Sequence, residues 1–294
     1  MAVIIDGKKV AEEIRNEVSE EVRSFKSAPH LTVILVGEDP ASQTYVKNKR
    51  KDCEKVGIAS ETLTYSSDLK QTELIRVIQD LNVNPEVHGI LVQLPLPKHI
   101  NENVIIQTIS PEKDVDGFHP INIGKLFSGA SDGFVPCTPA GIVELLIRYR
   151  YPPEGKKVVV VGRSSIVGKP LGLLLLRKQD KKGNATVTIC HSRTPDLGEI
   201  TRPADILIAA VGKPGLIRKE MVKKGVVVID VGTNRIEDAS RKNGYRFVGD
   251  VEFEEVSLIA EAISPVPGGV GPMTRAFLLK NTIQAYRQLN GIES

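Results

Sequence analysis

Tryptophan is absent from the 294-residue chain, aromatic residues make up 4% of it, and cysteine occurs only three times. The cysteines, Cys53, Cys137 and Cys190, are odd in number and no two of them have Cys-x-x-Cys spacing. This usage argues against a disulfide framework and against a thiolate metal site, and it favours a reducing compartment. None of the five histidines has zinc spacing either, so we expect no bound metal.

The chain also lacks a large excess of charge of either sign. Its formal net charge is +3, with 26% charged and 41% hydrophobic residues, which is typical of a globular protein and does not indicate nucleic-acid binding. The N-terminus carries Asp6 and too short an apolar run for a signal peptide, and no stretch approaches membrane-spanning length. We therefore expect a cytoplasmic protein that binds neither nucleic acid nor membranes.

The first half of the chain alternates helical and strand patterns, which is typical of a small α/β domain with a parallel sheet. The predicted elements are helices at residues 8–25, 40–56 and 72–81 and strands at 31–36, 61–65 and 89–93. Ligands of such sheets lie beyond the carboxyl ends of the strands. The segments that follow the strands, and so form the candidate site, are residues 37–49, 93–97 and 114–117.

The second half repeats this alternation after a Gly/Ser/Asp-rich passage at residues 128–133. Thr138 is predicted to cap a helix that begins at Pro139 and reaches about residue 150. Strands are predicted at residues 158–161, 186–190, 206–211 and 226–231, and a final helix at 275–289. Small or polar residues follow the last three strands and would line a dinucleotide groove.

Residues 156–170 read as a buried strand that turns at Gly162 into a helix beginning near Pro170. Such a turn directs backbone N–H groups and the positive end of a helix toward an anion. The alternative is an ordinary strand-to-helix connection without a ligand. A Walker A motif is excluded because five residues separate Gly162 from Gly168, and because Pro170 occupies the position of the Mg²⁺-binding hydroxyl.

Ser42, Tyr45 and Lys49 are spaced so that they project from nearly one face of the predicted helix at 40–56. The nearby basic residues could form a merely solvated face, but crowding of like charges makes it easier for one lysine to lose a proton. Our hypothesis is that Lys49 acts as an acid or base near neutral pH. The Tyr-x-x-x-Lys spacing also matches short-chain dehydrogenases, but in those enzymes the pair follows the nucleotide-binding segment, and here it precedes it.

Gln93 ends an apolar strand just before Pro95 and Pro97, which stop strand pairing. Two interpretations stay open for this glutamine: hydrogen bonding to nearby backbone, or a functional contact.

Asp114 and Asp116 are two residues apart in a turn at 111–117, so in an extended segment both carboxylates could point the same way. The residues that follow supply no further oxygen ligands for Mg²⁺ or Ca²⁺. We therefore favour a carboxylate that hydrogen-bonds a polar heterocycle over a metal site.

Five segments together carry a resemblance that covers nearly the whole chain. They are residues 45–49 (YVKNK), 89–97 (GILVQLPLP), 111–117 (PEKDVDG), 162–168 (GRSSIVG) and 265–274 (PVPGGVGPMT). In this order the segments resemble the bifunctional methylenetetrahydrofolate dehydrogenase/methenyltetrahydrofolate cyclohydrolase family. The resemblance implies NADP-dependent oxidation of 5,10-methylenetetrahydrofolate to the methenyl cation, followed by its hydrolysis to 10-formyltetrahydrofolate.

For the folate side of the site, the resemblance implies that Tyr45 stacks on the substrate and that Lys49 transfers protons during hydrolysis. Gln93 matches the position that tunes this lysine, and Asp116 matches the position that hydrogen-bonds the pterin. The remaining substrate-binding residues implied by the resemblance are Val92, Leu94, Pro267, Gly268, Gly269, Val270 and Gly271.

For the nucleotide, Gly162, Arg163 and Ser164 match the phosphate-facing turn of the family, and Ser192 matches a residue near the adenosine ribose. No acidic residue stands at the end of the second strand of this half to bind a ribose 2′-hydroxyl. Arg163 and Arg193 flank that place instead, which favours NADP over NAD. Thr233 stands where many family members carry isoleucine beside the nicotinamide, and residues 177–183 form a longer, more basic surface extension.

The predicted fold is α/β, with two domains flanking a cleft: an N-terminal α/β three-layer domain and a C-terminal Rossmann-type NADP-binding domain. Residues 1–138, completed by a C-terminal helix at 273–294, would form the folate-binding catalytic domain, and residues 139–272 the Rossmann domain. The family suggests a homodimer through the nucleotide domain. A dehydrogenase without cyclohydrolase activity is the alternative function, and a non-catalytic nucleotide-binding module is a third; Lys49 with Gln93 separates the first two.

Overall fold

The computed structural model describes residues 2–241 and 244–292. Contacts between Cα atoms divide these residues into two compact units. The three-stranded unit comprises Glu12–Cys137 together with residues 275–292, and the six-stranded unit comprises residues 2–11 together with Thr138–Thr274. We use these two names below.

The three-stranded unit is built on a parallel sheet whose strand order is β3-β2-β4. Its strands are β2 (His30–Val36), β3 (Ala59–Tyr65) and β4 (Gly89–Val92). Its helices are α1 (Gly7–Val22), which begins in the other unit, α2 (Pro40–Val56), α3 (Gln71–Val83), α4 (Glu102–Thr108), α5 (Pro120–Ser128) and most of α10 (Val270–Leu289). Strands β2 and β4 are almost continuously apolar and buried, as expected of a parallel sheet covered by helices.

The six-stranded unit is built on a second parallel sheet. In spatial order its strands are β1 (Val3–Ile4), β11 (Ala262–Ile263), β8 (Val227–Asp230), β7 (Ile206–Ala209), β5 (Lys157–Val161) and β6 (Thr186–Cys190). Its helices are α6 (Cys137–Arg148), α7 (Gly168–Leu176), α8 (Leu197–Thr201) and α9 (Phe253–Ser257), with a short 3-10 helix at Lys219–Met221. The chain moves outward from β5 to β6 and then back to β7 on the other side of β5. This reversal makes the carboxyl ends of β5 and β7 the expected ligand position.

Most predicted elements exist, but several of their bounds differ from the prediction. The predicted N-cap at Thr138 is wrong: α6 already begins at Cys137, and the Thr138 hydroxyl instead shares a 2.8 Å hydrogen bond with the Thr274 hydroxyl. Helix α10 begins at Val270, five residues before the predicted start. An antiparallel hairpin, β9 (Asn234–Glu237) with β10 (Tyr245–Val248), was not predicted.

The first residues of the chain also differ from the predicted domain division. Residues 2–11 belong to the six-stranded unit, not to the unit that contains the rest of the N-terminal half. The reason is a strand pairing: β1 runs parallel to β11, with Val3 beside Ala262 and Ile4 beside Ile263. A two-residue strand gives too little periodicity to be recognised in the sequence.

No α-helix within residues 2–241 and 244–292 combines the length and the apolar character needed to cross a membrane.

Candidate active site

Helix α2 carries Tyr45 and Lys49, and both of its ends are well defined. The Asp39 carboxylate accepts a hydrogen bond of 2.7 Å from Ser42 N at the N-terminus, and Pro40 occupies the first turn. Gly57 ends the helix in the left-handed conformation, with φ of +83°. Tyr45 is 48% exposed, which leaves this aromatic side chain accessible to a flat ligand.

Lys49 lies one turn beyond Tyr45 and contacts Gln93 at the end of β4. The Lys49 ammonium donates a 3.0 Å hydrogen bond to Gln93 Oε1, and Gln93 Nε2 donates a 2.7 Å hydrogen bond to the carbonyl oxygen of Leu94. The backbone interpretation of Gln93 is therefore confirmed for one end of its amide, while the other end binds the lysine; a functional role for this contact stays a prediction. Gln93 is in turn fixed by its own N–H group, which donates to the carbonyl of Ile34 in β2 at 2.9 Å.

The turn at residues 111–117 runs alongside β4. Ile90 N donates a 2.8 Å hydrogen bond to the Lys113 carbonyl. A Cβ atom added to Gly89 would lie 2.7 Å from a methyl carbon of Val115, so only glycine allows the turn to pack this closely. The turn is thereby held beside the strand that ends at Gln93.

Asp114 and Asp116 have different surroundings, although the sequence allowed both carboxylates to point the same way in an extended segment. Asp114 is buried and accepts hydrogen bonds from Phe118 N at 3.3 Å, His119 N at 2.8 Å and Asn122 Nδ2 at 2.8 Å. Asp116 is partly exposed, and no described residue donates a hydrogen bond to its carboxylate. Asp114 therefore stabilises the turn, and Asp116 is left available to a ligand.

The pKa of Asp116 is raised to about 6, mainly because the carboxyl group is desolvated. The Lys49 ammonium lowers this pKa and the Asp114 carboxylate raises it. Lys49, Gln93 and Asp116 thus form one electrostatically coupled group in the three-stranded unit, with Val92 and Leu94 on either side of Gln93.

The Gly/Pro-rich segment predicted to bind folate lies in the six-stranded unit and contains Pro267, Gly268, Gly269, Val270 and Gly271. The segment is anchored at the start of α1. Lys8 N donates a 3.1 Å hydrogen bond to the Gly268 carbonyl, and a Cβ added to Gly7 would lie 1.7 Å from the Gly269 carbonyl oxygen. The peptide bond preceding Pro267 is cis.

The predicted phosphate turn follows β5. Gly162 has φ of +136°, and an added Cβ would lie 2.2 Å from the Ala210 carbonyl oxygen, so no other residue fits without a shift of backbone. Arg163 and Ser164 are exposed. The Ser164 hydroxyl accepts a 3.1 Å hydrogen bond from Val167 N, just before α7 begins at Gly168. The turn thus joins the carboxyl end of a parallel strand to a helix N-terminus, which is the arrangement that the phosphate prediction assumed.

Ser192, Arg193 and Thr233 are exposed residues that follow strands β6 and β8 at the same edge of the sheet. Arg193 N donates a 3.2 Å hydrogen bond to His191 Nδ1. The predicted nucleotide residues therefore all lie beyond the carboxyl ends of parallel strands. The predicted surface extension at 177–183 is a mostly exposed turn between α7 and β6.

The sequence prediction missed two buried carboxylates at this edge, Asp230 at the end of β8 and Asp250 after β10. The only signals were an acidic residue inside a predicted apolar strand, Asp230, and one beside a glycine, Asp250, and neither distinguishes a buried acid from an ordinary turn residue. In the part of the chain that the structure describes, no group of three or more His, Cys, Asp or Glu side chains is placed to hold a metal ion.

Comparison with known proteins places this geometry in a family. Residues 5–116 match the catalytic domain of tetrahydrofolate dehydrogenase/cyclohydrolase, and residues 136–290 match the NAD(P)-binding domain of the same family. These matches cover both halves of the chain. The chain belongs to the tetrahydrofolate dehydrogenase/cyclohydrolase family.

Individual relatives agree with this assignment. A protein of Chlorobium chlorochromatii named bifunctional protein FolD is 57% identical over 295 residues, which cover 99% of this chain and 100% of the relative. The bifunctional FolD enzyme of Campylobacter jejuni, a methylenetetrahydrofolate dehydrogenase/cyclohydrolase, is 48% identical, with a TM-score of 0.91 over 98% of this chain and 99% of that one. The FolD of Trypanosoma brucei, solved with NADP and an inhibitor, is 42% identical, with a TM-score of 0.91 over 98% of each chain.

The family that the sequence motifs resemble, the two-domain α/β fold class and the enzyme class are therefore confirmed. The predicted dinucleotide cofactor is confirmed by the NAD(P)-binding domain, and one solved relative contains NADP itself. The roles of individual residues stay predictions.

Proposed function

We propose that the chain oxidises 5,10-methylenetetrahydrofolate with NADP⁺ and then hydrolyses the resulting 5,10-methenyltetrahydrofolate to 10-formyltetrahydrofolate. The observation that carries the second step is the 3.0 Å hydrogen bond from the Lys49 ammonium to Gln93 Oε1, with the Asp116 carboxylate close enough for its pKa to respond to the lysine. An enzyme that performed only the oxidation would have no need for this group.

The two steps make different demands on the protein. Bound NADP⁺ supplies the hydride acceptor, so the first step depends mainly on proximity and orientation of the two ligands. In the second step water adds to the cationic one-carbon bridge and loses one proton. The bond from the bridge carbon to N5 then breaks as the remaining hydroxyl proton is transferred to N5, which leaves the formyl group on N10. This step requires an acid–base group, and Lys49 supplies it.

Each predicted residue has a distinct role in this proposal. Tyr45 stacks on the pterin with its exposed ring face, and Asp116 accepts hydrogen bonds from pterin N–H groups. Gln93 orients the Lys49 ammonium. The remaining folate contacts come from Val92, Leu94, Pro267, Gly268, Gly269, Val270 and Gly271.

The dinucleotide is held at the carboxyl ends of the strands in the six-stranded sheet. Gly162, Arg163 and Ser164 form the pyrophosphate turn, and the missing Cβ of Gly162 lets this turn pack against the Ala210 carbonyl. Ser192 and Thr233 contact the nucleoside portions. Arg163 and Arg193 give the site its preference for a 2′-phosphate, because guanidinium groups bind phosphate through two hydrogen bonds.

The direct test is an assay of the purified chain with 5,10-methylenetetrahydrofolate and either NADP⁺ or NAD⁺. We expect NADPH to form, followed by 10-formyltetrahydrofolate, with a higher kcat/KM for NADP⁺ than for NAD⁺. Accumulation of the methenyl compound without hydrolysis would support the dehydrogenase-only alternative. A preference for NAD⁺ would contradict the role given to the two arginines.

We also propose that the chain forms a homodimer through the six-stranded unit and acts in the cytoplasm. Strand β6 has only β5 as a neighbour among the described strands, and Ile189 on it is 39% exposed. An exposed edge strand of this kind is a ready surface for a second copy of the chain. The three buried, unpaired cysteines are consistent with a reducing compartment.

A further inference from the structure

Asp230 and Asp250 are two buried carboxylates in the six-stranded unit that none of the proposed roles uses. Their exposed fractions are 2% and 0%. Asp230 is the last residue of β8, so the pair lies at the sheet edge where the predicted dinucleotide residues lie. Burying a carboxylate costs free energy of folding unless hydrogen-bond donors surround it. The hydrogen-bond partners of the two acids therefore indicate the role of each acid.

The Asp250 carboxylate accepts four hydrogen bonds, three of them from consecutive backbone N–H groups. Oδ2 accepts from Val211 N at 2.7 Å and from Gly212 N at 3.0 Å. Oδ1 accepts from Lys213 N at 2.8 Å and from Asn234 Nδ2 at 2.9 Å. Consecutive N–H groups arranged in this way resemble an anion-binding nest, and here the anion is a side chain of the protein itself.

The Asp230 carboxylate holds the backbone at Asp250 in place through hydrogen bonds. Asp230 Oδ1 accepts hydrogen bonds from Asp250 N at 2.9 Å and from Gly232 N at 3.1 Å, and Oδ2 accepts from Val251 N at 3.0 Å. A Cβ added to Gly232 would lie 2.2 Å from Asp250 Oδ1. Burial raises the pKa of Asp230 to about 7, although its N–H donors oppose that rise. The two acids and their glycine neighbours are thus packed without spare space.

The loop that Asp250 holds lies against the phosphate turn. Ala210 follows β7 directly and presents the carbonyl oxygen that leaves no room for a side chain at Gly162, and residues 211–213 come next in the chain. Asn234, the other residue that Asp250 binds, ends the loop after β8 as the first residue of β9, and it directly follows the predicted nicotinamide contact Thr233. One carboxylate therefore connects the loops after β7 and β8, and the first of these is next to the loop after β5.

We propose that Asp250 is a positioning residue for the dinucleotide: it holds the loops at 211–213 and 233–234 in their binding conformation before the ligand arrives. The inference rests on the proposed function, because it assumes that this sheet edge binds NADP. Since the loops are already ordered, binding does not have to supply the free energy of ordering them. All four groups that bind Asp250 belong to the protein, so Asp250 acts through the loops and does not touch the ligand.

The substitution Asp250→Asn tests this with almost no change in shape. Each carboxylate oxygen accepts two N–H donors, and asparagine must turn its NH₂ group toward one of these pairs in either orientation. The NH₂ group of the asparagine then faces two buried N–H donors, which are left without an acceptor, and this is unfavourable. We expect the dissociation constant for NADPH to rise roughly tenfold to a hundredfold.

Asp205→Asn is the matched control. Asp205 also accepts a backbone hydrogen bond, from Lys157 N at 2.8 Å. It immediately precedes β7, however, and so lies at the amino ends of the strands, opposite the proposed ligand site. The measurement is calorimetric titration of the full-length chain with NADPH at a temperature where thermal unfolding shows each variant to be folded. Hydrolysis of supplied 5,10-methenyltetrahydrofolate is measured in parallel. Neither readout requires the oxidation step, so loss of the proposed dehydrogenase function would be recognised separately from failure of this inference.

The expected result is weaker NADPH binding by Asp250→Asn, with hydrolysis within about twofold of the unsubstituted chain and with NADPH binding unchanged in Asp205→Asn. Unchanged NADPH binding by folded Asp250→Asn would overturn the inference, as would an equal loss of affinity in the Asp205→Asn control.

If Asp250→Asn does not fold, the substitution Asn234→Ala tests the inference instead. This substitution removes one of the four donors, and we expect a smaller loss of NADPH affinity with hydrolysis retained; unchanged affinity would overturn the inference.

Discussion

At the scale of single residues, the polar side chains of the proposed folate site differ in their hydrogen-bond partners. Lys49 donates to Gln93, and Gln93 is fixed to two backbone groups. Asp116 has no donor among the described residues, whereas Asp114, two residues earlier, has three. Of the two neighbouring carboxylates, one therefore organises the turn and the other is available for substrate.

The raised pKa of Asp116 predicts a pH dependence of folate binding. The carboxyl group has a pKa of about 6, and only its ionised form accepts hydrogen bonds from pterin N–H groups through both oxygens. Affinity is therefore present above pH 6 and is lost as the pH falls through this value. Between pH 7.5 and pH 5 we expect the dissociation constant for the folate substrate to rise about tenfold. Substrate titrations across this range measure it.

Asp116→Asn is the control for this pH dependence, because the amide does not titrate. Its affinity should be lower at pH 7.5 and nearly constant down to pH 5, apart from any change due to the substrate itself. If the unsubstituted chain has the same flat profile as the variant, Asp116 is not the titrating group.

Several of these residues could be predicted from the sequence, and others could not. Tyr45, Lys49 and Gln93 stand at positions whose helix or strand context is visible locally, and recurring motifs supported them. The different environments of Asp114 and Asp116 arise from contacts with Asn122 and with the backbone around residue 118, which no spacing rule encodes. The four-donor environment of Asp250 likewise depends on two loops that are distant in sequence.

At the scale of elements, apolar strands and amphipathic helices were predicted well, and short strands that are polar or only two residues long were not. Helix α2 has the predicted bounds, Pro40–Val56, because Asp39, Pro40 and Gly57 define both ends. The β9–β10 hairpin was missed because its strands are four residues long and largely exposed. Short polar strands lack the alternation on which prediction depends.

The turn after β5 gives a prediction at this scale. In Gly162→Ala the new methyl group would meet the Ala210 carbonyl oxygen at 2.2 Å and the residue would have to keep φ of +136°. We expect the free energy of unfolding to fall by about 2–4 kcal/mol, and NADPH affinity to fall because the turn must shift. Chemical denaturation and NADPH titration measure the two effects.

Gly198→Ala in helix α8 of the same unit is the matched control. There an added Cβ would lie 3.6 Å from Met221 Cγ, an ordinary contact, so we expect stability within about 1 kcal/mol of the unsubstituted chain. A Gly162→Ala protein as stable as this control, with unchanged NADPH affinity, would refute the close approach at Gly162.

At the scale of the whole molecule, the residues that we propose for the two reactions belong to different units. The proposed acid–base group of Lys49, Gln93 and Asp116 belongs to the three-stranded unit, and the proposed dinucleotide turn belongs to the six-stranded unit. The chain crosses between them within α1, after the first residue of α6 and within α10. The sequence indicated two α/β halves but assigned residues 2–11 to the other half, because the pairing of β1 with β11 joins segments about 260 residues apart.

The central claim is that one chain performs both reactions and that Lys49 is needed for only the second. Hydride transfer needs no acid–base side chain, whereas hydrolysis loses its proton-transferring group in Lys49→Ala. We expect hydrolysis to fall roughly 10²- to 10⁴-fold, while the chain still binds folate and still reduces NADP⁺. Lys47→Ala, which removes an exposed lysine from the same helix, should leave both reactions unchanged.

The most direct measurement follows NADPH and the methenyl compound together when 5,10-methylenetetrahydrofolate and NADP⁺ are supplied to the unsubstituted chain and to Lys49→Ala. The account predicts that both proteins form NADPH, and that the methenyl compound accumulates only in the variant. Hydrolysis by Lys49→Ala at the rate of the unsubstituted chain would contradict it.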